Sequence, residues 1–569
     1  MNISPFAGQL PGRSDLIDVE ALLLAYEKNK PDPYIEAQQV SFGTSGHRGC
    51  SFNNSFNENH ILAITQAICL YRKLNDIKGP LFLGFDTHAL SLPAFQSALE
   101  VLAANYVQVI VAQDQEFTPT PAISHAILCH NKNRKEGFAD GIIITPSHNP
   151  PREGGFKYNP IHGGPAEKKV TDWIQIQANG ILKDKLNSVR QVPFEIALIA
   201  ETTTHQNFLR SYVEDLKNII DMDVIRDSKI KIAVDPLGGA GVHYWEPIAD
   251  IYKINLSVLN TQVDPQFAFM TRDWDGQIRM DPSSKFAMQS LIKKSQNFDI
   301  SFACDTDHDR HGIVTKGKGL MPANDYLATM CFYLFQHRSL WKKDLKIGKT
   351  IVSTKIIERV AAHLDRKIFE MPVGFKWFVQ ELLKENLGFA GEESAGATFL
   401  RKDGTVWTTD KDAFVPALLS AEMTAKLGKD PSEIYDELTQ SLGKPYYSRI
   451  EVPATKKQRD KLNHLTDKDV VLKEIARDKI ESVRTIADGN SESIEGIQIE
   501  SKNGWVAMRP SGTEDIYKIY AESFVGPEHL QMLLCEAQKI ASDKIANPSE
   551  TNDLIKKPEI NQASSSMRT

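Results

Sequence analysis

Gly141-Ile-Ile-Ile-Thr145-Pro-Ser-His-Asn-Pro150 is the stretch on which the reading of the chain turns. Three successive isoleucines leave no polar face, so the run fits a strand buried on both sides rather than one with a wet face. It stops at Thr145, where prolines at 146, 150 and 151 stiffen the following loop. The same apolar run ending in Asp, Thr or Gly recurs as LFLGFDTH from Leu81, IKIAVDPLGG from Ile230, DISFACDTDHD from Asp299 and KTIVSTK from Lys349. Amphipathic stretches such as LPAFQSALEVLAANY and SKFAMQSLIKKS lie between them and predict helices. Alternating strands and helices predict several α/β domains, with ligands bound at loops beyond the carboxyl ends of strands.

A chain of 569 residues is long enough for three or four cores. Composition shifts place the breaks near residues 205, 322 and 443. The expected units are therefore 1–205, 206–322, 323–443 and 444–546, with a polar tail, 547–569, expected to be disordered. The last unit changes texture: GWVAMRPSGTEDIYKIYAES reads as two alternating strands about a turn, which predicts an α+β domain. The net charge of −7 gives no global attraction to nucleic acid or to anionic membranes. Six scattered cysteines without a C-x-x-C pair argue against a disulfide framework or a zinc site. No leader-like N-terminus and no apolar run of roughly 20 residues is present, so a cytoplasmic, soluble protein is expected.

Five short motifs carry chemistry. In Thr145–Pro151 a rigid loop holds the Ser147 hydroxyl at a strand end, where it can accept a phosphoryl group; a plain Ser-His-Asn-Pro turn is the alternative. No G-x-S-x-G surrounds Ser147, which argues against a hydrolase elbow. Lys157 follows in GGFKYNP, close enough to share the site. Asp305, Asp307 and Asp309 alternate in DTDHDR and can converge on one hard cation such as Mg²⁺. An EF-hand fails here, because its sixth position is Arg310 and its twelfth Lys316. Gly391–Gly396, GEESAG, suits close approach to sugar hydroxyls, or else a helix-start turn. Arg509-Pro-Ser511-Gly512-Thr513 offers an anion nest, with Lys518 within reach, or else a hairpin turn. Gly43–Gly49, GTSGHRG, carries Arg48 in a glycine-rich setting, which reads as a phosphate contact or as a flexible loop.

In this order, from residue 43 to 513, the five motifs resemble those of the alpha-D-phosphohexomutase superfamily, and they cover nearly all the chain except its tail. The resemblance implies an α/β fold: three related mixed α/β domains and a smaller, mobile C-terminal α+β domain around a central active-site cleft. It implies that Ser147 is the phosphoserine and that Asp305, Asp307 and Asp309 hold Mg²⁺ together with a phosphoserine oxygen. Lys157 then matches the general acid/base, with His148 beside the nucleophile, and Arg48 and Arg310 match phosphate contacts. Glu392 and Ser394 match the groups that hold sugar hydroxyls, and Lys402 a basic residue flanking them. Arg509, Ser511, Gly512 and Thr513 match the loop that grips the non-reacting phosphate. GEESAG and the segment Met371–Phe378, with Gly374 and Lys376, are similar to the glucose-type mutases. That similarity implies interconversion of alpha-D-glucose 1-phosphate and glucose 6-phosphate, with glucose 1,6-bisphosphate as intermediate and activator. A mannose-type or dual-specificity mutase, or a catalytically silent sugar-phosphate binder, are the alternatives. Hexose phosphates are the expected ligands and a homodimer the expected assembly. In one departure from the animal-like enzymes, Lys518 stands where they carry Arg, a point charge in place of a fork.

Overall fold

The computed structural model describes residues 3–43, 46–470, 472–512 and 515–545. Thr44 and Ser45 of the first motif, Thr513 of the last, and the tail 547–569 lie outside the described residues.

Four sheets follow one another along the chain. The first has seven strands: β1 Phe42–Gly43, β2 Gly46–Cys50, β3 Leu81–Phe85, β4 Val109–Ala112, β5 Asp140–Ile144, β6 Glu153–Asn159 and β7 Thr203–Gln206. Their order is β1-β2-β6-β5-β3-β4-β7. The centre β5-β3-β4-β7 is parallel, while β6, β2 and β1 add antiparallel. The isoleucines of β5 are fully buried, as their lack of a polar face requires. The second sheet, β8 Ile232–Asp235, β9 Leu256–Val258, β10 Ile300–Cys304, β11 His311–Thr315 and β12 Gly319–Leu320, has the order β12-β11-β10-β8-β9. The third, β13 Lys346–Thr350, β14 Ile368–Met371, β15 Leu387–Glu392 and β16 Gly396–Phe399, has the order β14-β13-β15-β16.

The fourth sheet is antiparallel: β17 Tyr446–Pro453, β18 Glu474–Ile475, β19 Asp478–Ile486, β20 Ser493–Ser501, β21 Gly504–Pro510 and β22 Ile516–Ser523. Its alternation has a use on each face. Val506, Met508, Ile519 and Ala521 pack under the helix Pro527–Ile545. Trp505, Ala507 and Tyr520 point the other way, onto Ile351 and Val352 of the third unit. This contact corrects the reading of KTIVSTK as a strand. The strand is Lys346–Thr350, and Ile351 and Val352 are apolar because the fourth unit covers them. SKFAMQSLIKKS is likewise helical only over Gln289–Lys294; ahead of it the Thr271 hydroxyl donates to the Phe286 carbonyl at 2.6 Å and to the Ala287 carbonyl at 3.1 Å.

The units are interlocked. Residues 4–15 cross from the first unit onto the second, where the Ser4 amide donates to the Trp274 carbonyl at 2.8 Å and Arg272 pairs with Asp15 at 2.9 Å. One core runs from the second sheet into the third through the helix Phe414–Leu427, which packs against β10 and β11. That helix is apolar on nearly every side, as burial on all faces demands. Its buried Glu422 is clamped by Arg338 at 2.6 and 3.0 Å and by the Tyr333 hydroxyl at 2.8 Å. Removing one partner of a buried pair strands the other charge. Arg338→Met is expected to cost about 3–5 kcal/mol, read as a fall in the denaturant midpoint; an unchanged midpoint would count against the clamp. Among the described residues, no helix is long and apolar enough to cross a membrane.

Candidate active site

Ser147 sits one residue pair beyond β5 and is completely buried. Its φ of 57° is left-handed, a conformation costing a non-glycine residue roughly 1–2 kcal/mol. The loop is held there by hydrogen bonds. The Ser147 amide donates to Thr145 Oγ1 at 2.8 Å, and that hydroxyl donates to Asp86 Oδ2 at 2.6 Å. Asp86, just past β3, also accepts from the Ser91 hydroxyl at 2.6 Å and pairs with His88 Nδ1 at 2.9 Å. His88 reaches on to the Asn149 carbonyl at 3.1 Å, so both ends of the serine loop are pinned.

The acid loop between β10 and β11 faces this serine. Ser147 Oγ donates to Asp305 Oδ2 at 2.7 Å, and His148 Nδ1 lies 3.4 Å from the same hydroxyl. Asp305 Oδ1 takes the amides of Asp309 and Arg310, each at 3.0 Å. Asp307 Oδ2 accepts from Thr120 Oγ1 and from Lys157 Nζ, both at 2.5 Å. Asp309 Oδ2 accepts from Lys157 at 3.0 Å and pairs with Lys411 at 3.1 Å. Ligand oxygens of the three acids lie within 4.8 Å of one another. Asp307 Oδ1 and Asp309 Oδ1 are buried with no hydrogen-bond partner among the described residues. An all-oxygen, anionic donor set with open lone pairs fits a hard cation such as Mg²⁺.

Charge in this cluster follows from burial and neighbours. Burial and the nearby Asp307 and Asp309 push the Asp305 carboxyl well above the usual range. Burial also pushes Asp309 up, but Lys157, Lys411 and Arg310 outweigh it and hold that carboxyl far below. Burial opposes charge on Lys157, yet Asp307 and Asp309 raise it and keep the ammonium protonated. Burial, with Arg310 beside it, holds the His148 imidazole well below its ordinary value, hence neutral. Arg48 projects from β2 and donates to Asn149 Oδ1 at 2.9 Å. Burial and the Arg310 guanidinium both push it down. The Nε groups of Arg48 and Arg310 are buried without hydrogen-bond partners among the described residues. Two neighbouring cations with open donors make a receptor for an anion.

Four stretches match the models of the phosphoglucomutase/phosphomannomutase domains in order: domain I at residues 39–184, domain II at 210–319, domain III at 322–442 and the C-terminal domain at 465–534. The chain belongs to the phosphoglucomutase/phosphomannomutase family. It is 52% identical over 551 residues to a phosphoglucomutase of Komagataeibacter xylinus, covering 97% of this chain and 99% of that one. A phosphomannomutase of Mycoplasma pneumoniae is 24% identical over 551 residues, covering 92% and 94%. The open form of the Paramecium phosphoglucomutase parafusin superposes with a TM-score of 0.69 at 20% identity, covering 91% and 95%.

In this phosphoglucomutase/phosphomannomutase-family chain the third unit brings a second loop. Glu392 ends β15 and accepts from the Gly374 amide at 2.9 Å, so GEESAG and the Met371–Phe378 segment are tied together. GEESAG is a hairpin turn between β15 and β16, not a helix start. Burial raises the Glu392 carboxyl, with Lys411 and Arg310 pulling it back. Ser394 is half-buried in the turn. Gly374 has φ 128°, a left-handed value that favours glycine. Lys376 lies 5.1 Å from the Trp377 ring, and burial pushes its ammonium down while Glu495 of the fourth unit pulls it back. Neighbouring Glu393 pairs with Arg449 of β17 at 2.8 Å, joining this loop to the fourth unit.

Arg509 and Pro510 end β21, and Arg509 and Lys518 of β22 are direct cross-strand neighbours. Arg509 Nε donates to the Ile494 carbonyl at 3.0 Å, and Lys518 lies 3.4 Å from Glu451. The Ser511 carbonyl accepts from Arg459 at 3.1 Å, and Gly512 faces open space. Lys402 does not join the acids. It donates to the Ile220 carbonyl at 3.3 Å and lines a separate groove of about 520 Å³ with Lys217 and Arg226. Two residues beyond β16 put its amide on the Asn218 carbonyl at 2.8 Å, which commits this stretch to the second unit. The basic residue on the acids is Lys411, which sequence reasoning missed, as it missed Thr120, Asp86 and His88. Lys411 stands in TTDKDAF, whose Ala413 amide donates to the His308 carbonyl at 2.9 Å.

Gly155 has a steric duty at this site. It lies opposite Arg48 in β6, and a Cβ there would come within 2.0 Å of the Thr145 carbonyl oxygen and 2.7 Å of Pro146 Cα. Gly155→Ala must therefore displace the start of the serine loop. Misplacing a reacting atom by an ångström can cost about 10²-fold, and a loss of that order in kcat is expected. Wild-type kcat in the folded variant would contradict the steric argument.

Proposed function

We propose that this chain is a phosphoglucomutase that interconverts alpha-D-glucose 1-phosphate and glucose 6-phosphate through a phosphoserine at residue 147. The observation that carries the reading is a strained, buried serine hydroxyl 2.7 Å from an acid cluster with open carboxylate oxygens. Asp305, Asp307, Asp309 and a Ser147 oxygen are the groups that would hold Mg²⁺, which when bound neutralises charge on a transferring phosphoryl group. The sugar's free hydroxyl attacks the phosphorus of phosphorylated Ser147. The P–O bond to Ser147 breaks and its electron pair stays on Oγ. The Lys157 ammonium is our candidate for giving a proton to the departing Ser147 oxygen and then taking the proton of the attacking hydroxyl, and His148 for steadying the serine oxygen. Arg48 and Arg310 stabilise negative charge on the phosphoryl oxygens with donors already in place. The resulting glucose 1,6-bisphosphate turns end for end and returns its other phosphate to Ser147. Glu392, Ser394, Gly374 and Lys376 hold the sugar, and the Arg509 loop with Lys518 holds the phosphate that is not reacting.

Glucose rather than mannose is supported by the 52% identity to a phosphoglucomutase over 97% of this chain. A cytoplasmic enzyme acting on hexose phosphates accords with this reading. The test is to incubate the protein with glucose 1,6-bisphosphate, look for one phosphate adduct at Ser147, and assay glucose, mannose and N-acetylglucosamine 1-phosphates side by side. Absence of the adduct sinks the mechanism; equal turnover of mannose 1-phosphate makes the enzyme dual-specific. Arg509 should touch a phosphate whichever end carries it. Losing a hydrogen bond to a charged group costs about 1.5–3 kcal/mol, so Arg509→Ala should lower kcat/KM for both glucose phosphates by about tenfold or somewhat more. A variant that cripples one and spares the other would rule out a shared site.

A further inference from the structure

Away from the acid loop, one cluster brings a nucleophile and a buried cation together near the surface. The helix Thr120–Asn131 carries His125 and Cys129 one turn apart, on the same face. His125 is only 4% exposed and pairs through Nε2 with Asp215, the last residue of the helix Phe208–Asp215, at 2.7 Å. Cys129 Sγ lies over this ring, 3.6 Å from Nε2 and 3.8 Å from Nδ1. Arg401, beyond β16, reaches the same Asp215 oxygen at 2.7 Å, and Asn218 donates to the other at 2.6 Å. Cys129 is exposed, whereas Cys50, Cys69, Cys304 and Cys331 are buried.

The charged groups facing the thiol are His125 on its own helix, Asp215 on the neighbouring helix and Arg401 on the third unit. Burial opposes the His125 cation, but Asp215 and the thiol push it up to about 9, so the ring is protonated at neutral pH. Burial raises the Cys129 thiol, yet His125, with Arg401 behind it, outweighs burial and holds it below its ordinary value. Asp215 and the negative end of the helix oppose the thiolate, but the imidazolium is in contact with it. A bound divalent metal fits these residues less well. Both Asp215 oxygens are already engaged, and Arg401 supplies the cation that a metal would duplicate.

The same helix reaches the reaction centre. Its first residue, Thr120, donates to Asp307 Oδ2 at 2.5 Å through its hydroxyl and to the Asp307 carbonyl at 2.9 Å through its amide. We propose that Cys129 is a primed nucleophilic thiol that exchanges with low-molecular-weight disulfides, and that the resulting adduct brakes the enzyme. The thiolate sulfur attacks one sulfur of the disulfide, the S–S bond breaks, and the departing thiolate takes the electron pair and a proton from water. One disulfide is consumed and one mixed disulfide is formed. An adduct removes the thiolate that helps hold the His125 cation and adds bulk beside the His125–Asp215–Arg401 junction, which ties this helix to the second and third units. The brake rests on the mutase reading; the exchange does not.

The full chain is treated with oxidised glutathione and followed by peptide mass and by glucose phosphate turnover. At pH 7, Cys129 should be modified at least about tenfold faster than the exposed Cys535, because reactivity follows the thiolate fraction. His125→Asn should remove that advantage, with thermal unfolding as the check on its fold. Independently of any variant, the pH–rate profile of wild-type Cys129 should have its midpoint below that of Cys535. Turnover should fall as the adduct accumulates and return with a reducing thiol, whereas Cys129→Ser keeps its activity and resists. Equal rates for the two cysteines with coincident pH profiles overturn the exchange. Fast modification with unchanged turnover overturns the brake. Absence of turnover before any treatment speaks against the mutase reading alone, since the exchange rates are measured without it.

Discussion

Ser147→Ala is expected to lower turnover by at least about 10⁴-fold, the scale reached when a covalent nucleophile is deleted. The variant should remain folded. The alanine can keep the left-handed φ of 57° about as well as serine does, and the Thr145–Asp86–His88 bonds that fix the loop do not use the Ser147 hydroxyl. Asp305 loses one donor at 2.7 Å but keeps the Asp309 and Arg310 amides. The stability change should thus be small while the chemistry disappears. The measurement is kcat with glucose 1-phosphate, together with thermal unfolding and intact mass after incubation with glucose 1,6-bisphosphate. Near-normal turnover in a folded variant would end the phosphoserine mechanism.

What could be read from sequence was local. The buried strands were legible because the isoleucine triplet 142–144 and runs such as ISFAC leave no face for water, and the reactive loops follow because strand ends in such sheets are where backbones turn. The acid triplet was legible because its alternate spacing lies within one loop. Lys411 and Thr120 were not, for a different reason. They come from segments far from residue 307, and TTDKD reads as a surface turn until the helix Phe414–Leu427 is seen buried against the second sheet. The resemblance matches Lys402 to a basic residue flanking the sugar hydroxyls, but a motif match does not tell which unit a side chain leans on, and its ammonium donates to Ile220 of the second unit. KTIVSTK misled because apolar residues were read as strand where they serve an interface between units. Local pattern thus identified elements and single-loop sites, while groups delivered by packing between units required the fold.

Exhaustive chelation is expected to abolish turnover, and added Mg²⁺ to restore it. The argument starts from charge. Three buried carboxylates share a space less than 5 Å across, at 4.8 Å or closer, and Asp305 responds by binding its proton more tightly. Lys157 and Lys411 offset part of that charge through one oxygen each of Asp307 and Asp309, which leaves the Oδ1 atoms of both without hydrogen-bond partners among the described residues, with the Arg310 guanidinium 3.6 Å from that of Asp309. Leaving a buried acceptor unsatisfied costs about 1–3 kcal/mol, so the arrangement is built for one more cationic partner. Asp307→Ala removes one of three protein ligands, leaves the Thr120 hydroxyl without its acceptor and leaves Lys157 with Asp309 alone of the two acids. Removing even an outer partner of a metal site costs about 10–100-fold in affinity, so a loss of at least that size is expected in Mg²⁺ titrations monitored by calorimetry. The calorimetric readout separates weak metal binding from loss of the Lys157 contact, because Lys157→Met should damage turnover while leaving all three acids to bind the ion. Full activity after chelation, or unchanged Mg²⁺ affinity in Asp307→Ala, would mean that the triplet only supports the loop.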